Sequence, residues 1–345
     1  MRYLTAGESH GKALTAILEG MPAGIKVDLN RINQELRRRQ QGYGRGKRMQ
    51  IEQDKAEVLS GLKNGLTLGS PIGVLVKNKD FSIQKLPAVI CPRPGHADLA
   101  GLLKYGFSDV RNVFERASAR ETAARVAIGA ICKIFLNEFK VKITSRVLEV
   151  GGKSSKAQIK KIIDQAREKK DTVGGIFELR VKNVIAGLGS YVQPDRRLDA
   201  RVTQAIMSIP GIKAVGIGLG FSCADKLGSQ VHDAIYYSKN KGFYRKTNNA
   251  GGIEGGISNG EDIILRACMK PICTLLSPLD SVNIKTKAQS RASVERSDIC
   301  VVKAAGVIAE AMVSFTLADA FLEKFGSDSL EDIKTAFRAY LKRLK

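Results

Sequence analysis

PRPGHADLAGLLKYGFSDVRNVFERASARETAARVAIGA, residues 92–130, brings one histidine and several arginines to the start of a helix. Ser118 followed three residues later by Glu121 has the form of a capping box, and the alanine-rich run behind it sets Ala123, Ala127, Ala130, Ile131 and Ile134 on one helical stripe. The helix is therefore expected to begin at Ser118. Its first turn has free backbone N–H groups and the positive end of the dipole, where Arg116 and Arg120 offer guanidinium forks suited to phosphate or carboxylate. An ordinary capped core helix with solvated arginines would use the same residues. The upstream PRPGHAD, with His96 in a turn, favours an anion site beside a proton-transfer group.

The rest of the composition fits a folded chain. In 345 residues the hydrophobic fraction is 43%, enough for a substantial core in one large domain or two. Lys and Arg number 56 against 34 Asp and Glu, a formal charge of +22 that favours anionic partners without saying which. Cys91, Cys132, Cys223, Cys268, Cys273 and Cys300 show no CxxC or Cys/His ligand spacing, so free thiols in a reducing compartment are expected, and no metal site. Polar Glu8, Ser9 and His10 interrupt the start, and no apolar run approaches the roughly 20 residues that span a bilayer. The expectation is a soluble cytoplasmic protein with no membrane partner.

Ala13 to Glu19 reads as a strand. Asp28 then caps a helix with Leu29, Ile32 and Leu36 on one side and Arg37, Arg38 and Arg39 at its end, where cations suit the dipole. QGYGRGK, residues 41–47, reads as a mobile loop, and Glu52 and Asp54 punctuate the apolar pattern that follows. Ile159, Ile162 and Ile163 mark a surface amphipathic helix in the lysine-rich segment 153–170. From Ile176 to Phe221 come a strand, a turn around Pro194, a helix carrying Val202, Ile206 and Ile209, and another strand, which describes a helix packed on a sheet.

Two halves of the chain are alike. Pro22-Ala23-Gly24-Ile25 is echoed by Ile185-Ala186-Gly187-Leu188. Glu115-Arg116-Ala117-Ser118 leads into one alanine-rich helix, and Glu295-Arg296-Ser297-Asp298 leads into another through Ala304, Ala305, Ala309 and Ala311. An internal duplication that sets an arginine and a capping residue at each helix start follows. The cluster AGGIEGGISNG, residues 250–260, is too glycine-rich for a regular element and permits close backbone approach to a ligand, while Ile253 and Ile257 tie it to the core. Neither this cluster nor Gly216, Gly218 and Gly220 forms the GxGxxG fingerprint, and there is no P-loop. Of three histidines, His10 in GESHGK and His96 in PGHAD sit in polar turns where an imidazole can exchange a proton near neutral pH, whereas His232 reads as structural or surface.

GESHGK at 7–12, YGRGKRM at 43–49, RPGHAD at 93–98, RASARETAARVAIGA at 116–130 and NNAGGIEGGISNG at 248–260 together resemble the chorismate synthase family over nearly the whole chain. The resemblance implies an α+β fold: a β-α-β sandwich with pseudo-twofold duplication, residues 1–345 forming a single catalytic domain, assembled as a homotetramer. It implies a carbon–oxygen lyase that converts 5-enolpyruvylshikimate 3-phosphate to chorismate by anti-1,4 elimination of phosphate and a C6 proton, the last step of the shikimate pathway toward aromatic amino acids. It also implies a flavoprotein working with reduced FMN; NADPH is the candidate electron source, and NADP and FAD are the further cofactor classes the resemblance brings in.

By the same resemblance His10 protonates the reduced flavin or steadies its charge, His96 serves the departing phosphate, Ser9 and Ser118 complete a proton network, and Asp298 assists at the flavin N5. FMN contacts map onto Arg116, Ala117, Ser118, Pro210, Gly211, Gly255, Lys270, Pro271, Ile272, Cys273, Thr274 and Arg296. Arg39 and Arg45 match NADPH-associated positions and double as substrate anchors with His10, Arg48 and Arg120. Arg37 and Arg38 read as surface arginines. The chain departs from the family pattern in a short segment between Asn78 and Pro92, in Lys303 where proline is usual, and in Ile185 for the proline of the second turn; the first puts shielding of the flavin in doubt. An RNA-binding protein would use the same charge, but there is no RRM signature, no zinc knuckle and no Trp, and aromatics make up 6% of residues. A flavin reductase would share the glycine loop and helix-end site, while the histidine pair favours proton chemistry. Lacking a Rossmann fingerprint, the chain is expected to depend on an external flavin reductase.

Overall fold

The strand expected at Ala13–Glu19 forms with those bounds as β2, pairing antiparallel with β1, Arg2–Ala6. The computed structural model describes residues 1–46, 53–240, 242–295 and 297–344. Asp28 accepts from the Asn30 N–H and caps α1, Leu29–Gln40, which buries Ile32 and Leu36 but leaves Leu29 exposed. Next come β3 (Ala56–Val58), β4 (Leu62–Lys63), β5 (Leu66–Thr67) and β6 (Ile72–Lys77). The first sheet has the order β1-β2-β6-β3, and strand alternation turns Leu14, Ala16 and Leu18 inward beside Ile72, Val74 and Val76.

Two helices then cross the quoted stretch, α2 at Asp98–Tyr105 and α3 at Arg111–Ala117, ahead of α4 at Thr122–Asn137. Ser118 caps as expected, accepting from the Arg120 N–H, but it caps a 3-10 turn over Ala119–Glu121, and the α-helix starts only at Thr122. Glu121 pairs with Arg125 and does not reach back to close a capping box. The five residues of the expected stripe are buried, as are nearly all their neighbours, so α4 is a core helix apolar on every side.

The second half repeats the first: β7 (Lys142–Val150), α5 (Lys156–Glu168), β8 (Gly175–Lys182), α6 (Leu198–Met207), β9 (Ile212–Ile217), the hairpin strands β10 (Ile235–Ser238) and β11 (Gly242–Arg245), β12 (Ile253–Glu254), β13 (Ile257–Ser258) and β14 (Ile263–Met269). Its sheet has the order β7-β8-β14-β9, the same first-second-fourth-third arrangement as the first sheet. The long helix α7, Val302–Phe325, and α8, Leu330–Arg343, close the chain. Helices α4 and α7 pack on each other between the sheets, α4 against β2 and β6, α7 against β7 and β8, with α1 and α6 beside them. Gly129 allows this approach, because a Cβ there would collide with the backbone and side chain of Ala311.

Duplication reaches single hydrogen bonds. Thr67 Oγ1 donates to the Pro22 carbonyl (2.6 Å) and accepts from the Ile25 N–H (2.8 Å); Ser258 Oγ donates to the Ile185 carbonyl (2.7 Å) and accepts from the Leu188 N–H (2.8 Å). The exchange of proline for Ile185 therefore leaves the turn intact, since the bond uses a carbonyl. The second echo fails as a pair of capped helices. Helix α7 begins at Val302 with no side-chain cap, four residues beyond Asp298.

Two further readings change. Arg38 pairs with Glu35 and with Glu310, a fully buried carboxylate on α7 that also binds Lys133 and Ser145, so of that pair only Arg37 is exposed. Helix α7, with a mean hydropathy of 1.6 in its most apolar window, is long and apolar enough to cross a membrane, yet 89% of that window is buried inside the fold. The glycine cluster is held in place, as expected: Asp233 accepts from the N–H groups of Asn249 and Ala250 and from Thr247 Oγ1.

Candidate functional site

Residues 7–12 leave β1 in a turn that α3 clamps from the side. Glu115 on α3 accepts from the His10 backbone N–H (2.8 Å) and meets the His10 ring at Nδ1 (2.9 Å), while its own carbonyl accepts from the Ser9 N–H. His10 Nε2 points toward Asp80, 4.0 Å away. Burial alone would raise the Glu115 carboxyl, but the bonds from His10 and the nearby Arg111 outweigh it and hold it below the ordinary value. His96 has a matching arrangement, its Nδ1 bonded to Asp98. Asp98 also takes the Arg93 guanidinium on both oxygens, and these bonds overcome burial to hold the carboxyl far below its usual range. Both imidazoles lie about the ring of Phe114, His10 stacked at 6.5 Å between centroids and His96 tilted at 6.3 Å, with the Arg93 guanidinium 4.2 Å above the same ring.

Beneath His10 lies an arginine well. Arg39 from the end of α1 and Arg120 from the 3-10 turn share Asp54, at 2.7 and 2.6 Å, and all three are buried. Burial pulls the Arg39 guanidinium below its ordinary value, with Asp54 opposing and Arg120 adding to the shift; arginine nevertheless stays protonated. Arg45 is lowered in the same way and pairs with Asp298 at 2.9 Å. Three guanidiniums against two carboxylates leave an excess of positive charge. Asn78 ties the well to the histidine turn: its Nδ2 donates to the Gly11 carbonyl (2.7 Å) and its Oδ1 accepts from Arg120 Nε (2.8 Å). Buried Arg39 Nε, Arg45 Nε and Arg111 Nη1 have no hydrogen-bond acceptor among the described residues. Such donors suit the oxygens of an anion with several charges.

Most of the expected site residues converge here. Ser118 Oγ donates to Ser9 Oγ at 3.2 Å. Thr274 accepts from Arg93, Lys270 Nζ reaches the Gly95 carbonyl, and the Lys270 N–H bonds the Gly211 carbonyl, so the run Lys270, Pro271, Ile272, Cys273, Thr274 and the Pro210-Gly211 turn border the His96 loop. Ala117 ends α3 just before Ser118. Arg116 differs from expectation: its fork is spent on the carbonyls of Thr5 and Gly7, so it secures the His10 turn instead of bracketing a helix end. Asp298 is no helix cap; it holds the Gly46 N–H and Arg45. Gly255 is not brought to this group. It lies in the β12–β13 turn at the start of β14, whereas Lys270 follows the end of that seven-residue strand, roughly 20 Å on at 3.3 Å per residue. Arg48 and Arg296 lie outside the described residues. His232 is exposed.

Sequence reasoning missed Glu115, Asp98, Arg93, Phe114, Asp54 and Asn78. Asp98 carried a signal, standing two residues after His96, and Glu115 stood in the quoted stretch. Asp54 and Asn78 join the site only through tertiary contact. The short segment after Asn78 also packs on the site, the Ile83 N–H donating to the His10 carbonyl.

The chorismate synthase family model matches residues 1–322. A chorismate synthase of Thermoanaerobacter pseudethanolicus is 54% identical over 348 residues, covering 100% of this chain and 99% of that protein. A second, of Aquifex aeolicus, is 50% identical over 391 residues, with 100% and 98% covered. In three dimensions the chain is similar to a solved structure described as "Crystal Structure of Chorismate Synthase", with a TM-score of 0.83, 43% identity, and coverage of 99% of this chain and 98% of that one.

Proposed function

The chain belongs to the chorismate synthase family, and from that premise we propose that His10 and His96 carry its proton chemistry beside the arginine well of Arg39, Arg45 and Arg120, with reduced FMN as the flavin. Enzymes of this family are lyases that convert 5-enolpyruvylshikimate 3-phosphate to chorismate; the C3–O bond to phosphate and the C6–H bond break, a C=C bond forms, and phosphate and a proton leave. Reduced flavin, when bound, supplies the electron-rich ring that promotes loss of phosphate. The observation that carries the proposal is the pair of histidine–carboxylate contacts about Phe114, joined through Asn78 to the arginine well, where buried Arg39 Nε and Arg45 Nε have no acceptor among the described residues.

Arg39, Arg45 and Arg120 would bind substrate carboxylates and phosphate, with Arg48 as a further anchor. His96, held by Asp98, would donate a proton to the departing phosphate. His10, held by Glu115, would face the flavin, and the Ser9–Ser118 contact would pass protons beside it. With both carboxylate oxygens taken up by Gly46 and Arg45, Asp298 is better suited to orienting Arg45 than to accepting a proton. Arg116, Ala117, Ser118, Pro210, Gly211 and the run 270–274 would border FMN, and Arg296 is kept as a candidate contact. The sheets sharing one helical layer support a single catalytic domain over 1–345. Leu4 and Ile17, directly opposed on the outer face of the first sheet and 72% and 51% exposed, support burial of that face in a homotetramer. Six free thiols support a cytoplasmic location.

Electron supply separates this reading from that of a flavin reductase. Under anaerobic conditions in the dark, chorismate is expected with dithionite-reduced FMN and not with oxidised FMN and NADPH. Rapid turnover from NADPH alone would show an intrinsic reductase, and no turnover with reduced FMN would remove the proposal.

A further inference from the structure

Glu115 holds both the backbone and the ring of one histidine. It is 3% exposed, its Oε2 accepts from the His10 backbone N–H, both of its carboxylate oxygens face the ring Nδ1, and its carbonyl takes the Ser9 N–H. Asn78 pins the carbonyls on either side of His10, so the backbone cannot turn and the ring alone retains freedom about its side-chain bonds. Around the ring stand Glu115 and Arg111 from α3, Asp80 from the segment after β6, and Phe114 on one face. An ionised carboxylate only accepts hydrogen bonds, so the Nδ1 that meets Glu115 must carry the hydrogen. That leaves the lone pair on Nε2, the nitrogen turned away from α3.

Arg111 adds a second layer. Its guanidinium lies 3.5 Å from Glu115 and 3.2 Å from Glu295, and these glutamates occupy matching positions in the two duplicated ERAS and ERSD segments. Glu115 is therefore kept ionised and fixed in rotation by a partner that is itself tied to the other half of the chain.

We infer that Glu115 is a positioning residue that holds neutral His10 in the Nδ1–H tautomer and so presents Nε2 to the reacting molecules. This inference rests on the reading that His10 takes part in the reaction, but the ring's state can be measured apart from turnover. With three histidines in the chain, ring nitrogens can be observed directly by NMR in protein labelled at histidine, and His10→Ala identifies the His10 signals. At a pH where the rings are neutral, His10 is expected as Nδ1–H in the parent. A parent His10 found as Nε2–H overturns the inference without any variant. The His10 Nδ1 faces both Glu115 oxygens, at 2.9 and 3.1 Å, and Glu115→Gln replaces one of them with an N–H₂ group whose hydrogens oppose an Nδ1–H, leaving a single neutral oxygen shared with the backbone N–H; His10 is expected to move toward Nε2–H while the His96 signals stay put and report an intact fold. Glu115→Asp keeps an acceptor-only group and is expected to retain more of the Nδ1–H form. An unchanged His10 tautomer in Glu115→Gln contradicts the positioning role.

In turnover, Glu115→Gln is expected to lower kcat by roughly 10- to 100-fold with KM changed by less than about twofold, since the ring is present but presents the wrong nitrogen. If the tautomer changes while kcat does not, the positioning of the ring stands and the catalytic assignment of His10 falls.

Discussion

Arg116 and Arg45 show how differently two arginines of one site can be used. Arg116 was expected to meet FMN and Arg45 to meet NADPH and substrate; Arg116 gives its donors to the carbonyls of Thr5 and Gly7, whereas Arg45 has its Nε buried with no acceptor among the described residues. A charge-assisted bond to a ligand contributes about 1.5 to 3 kcal/mol, or roughly 10- to 150-fold in affinity. Arg45→Ala is expected to weaken binding of FMN or substrate by that amount in titrations, and Arg116→Ala by less than about tenfold for either. A larger loss in Arg116→Ala than in Arg45→Ala would return Arg116 to direct ligand contact. At this scale the residue types were readable in the sequence: histidine in a polar turn and arginine near a helix start. Their partners were not. Asn78 stands in no pattern, and its importance comes from reaching the His10 turn with one end of its amide and Arg120 with the other.

At the level of elements, local signals worked where a strand or helix has one apolar side and failed where neighbours decide the ends. The bounds of β2, the Asp28 cap and the amphipathic α5 follow from patterning. The start of α4 shifted because Arg120 and Glu121 are buried in ion pairs that a 3-10 turn can place. Helix α7 lacks a stripe altogether, being enclosed by the second sheet and by α1, α4 and α6, and its charged interruptions include Glu310 satisfied inside the core. The α4–α7 crossing depends on Gly129. Gly129→Ala forces a methyl group into Ala311, and overpacking of this kind costs about 1 to 3 kcal/mol. Chemical denaturation is expected to show that loss with an unchanged slope; stability equal to the parent would mean that the helix pair can separate without cost.

Across the whole molecule, the fold places the His96 loop of the first half against the Lys270–Thr274 border of the second. The duplication was legible because the echoed turns are short and local, and the sandwich only through the family resemblance, whereas the sheet order that repeats in both halves exists only in three dimensions. Acid should weaken the assembly of charges. Asp54, Asp98, Glu115 and Glu310 are all held below their ordinary values of 3.8 and 4.5, in each case because bonded cations or imidazoles outweigh burial. A folded value below the unfolded one gives stability that is complete above the unfolded value and disappears as pH falls through the folded value. The denaturation midpoint is therefore expected to be nearly level between about pH 5 and 7 and to drop steadily below about pH 4.5; a midpoint unchanged down to about pH 3 would show that these carboxylates gain nothing from their partners. The most direct test of the central claim, that His10 and His96 serve the chemical step, is single-turnover formation of chorismate under anaerobic conditions with saturating substrate and dithionite-reduced FMN. His10→Ala and His96→Ala are each expected to slow it by roughly 100- to 10,000-fold with substrate affinity largely retained, and rates at the parent level in both variants would contradict the assignment and return the two rings to a structural role.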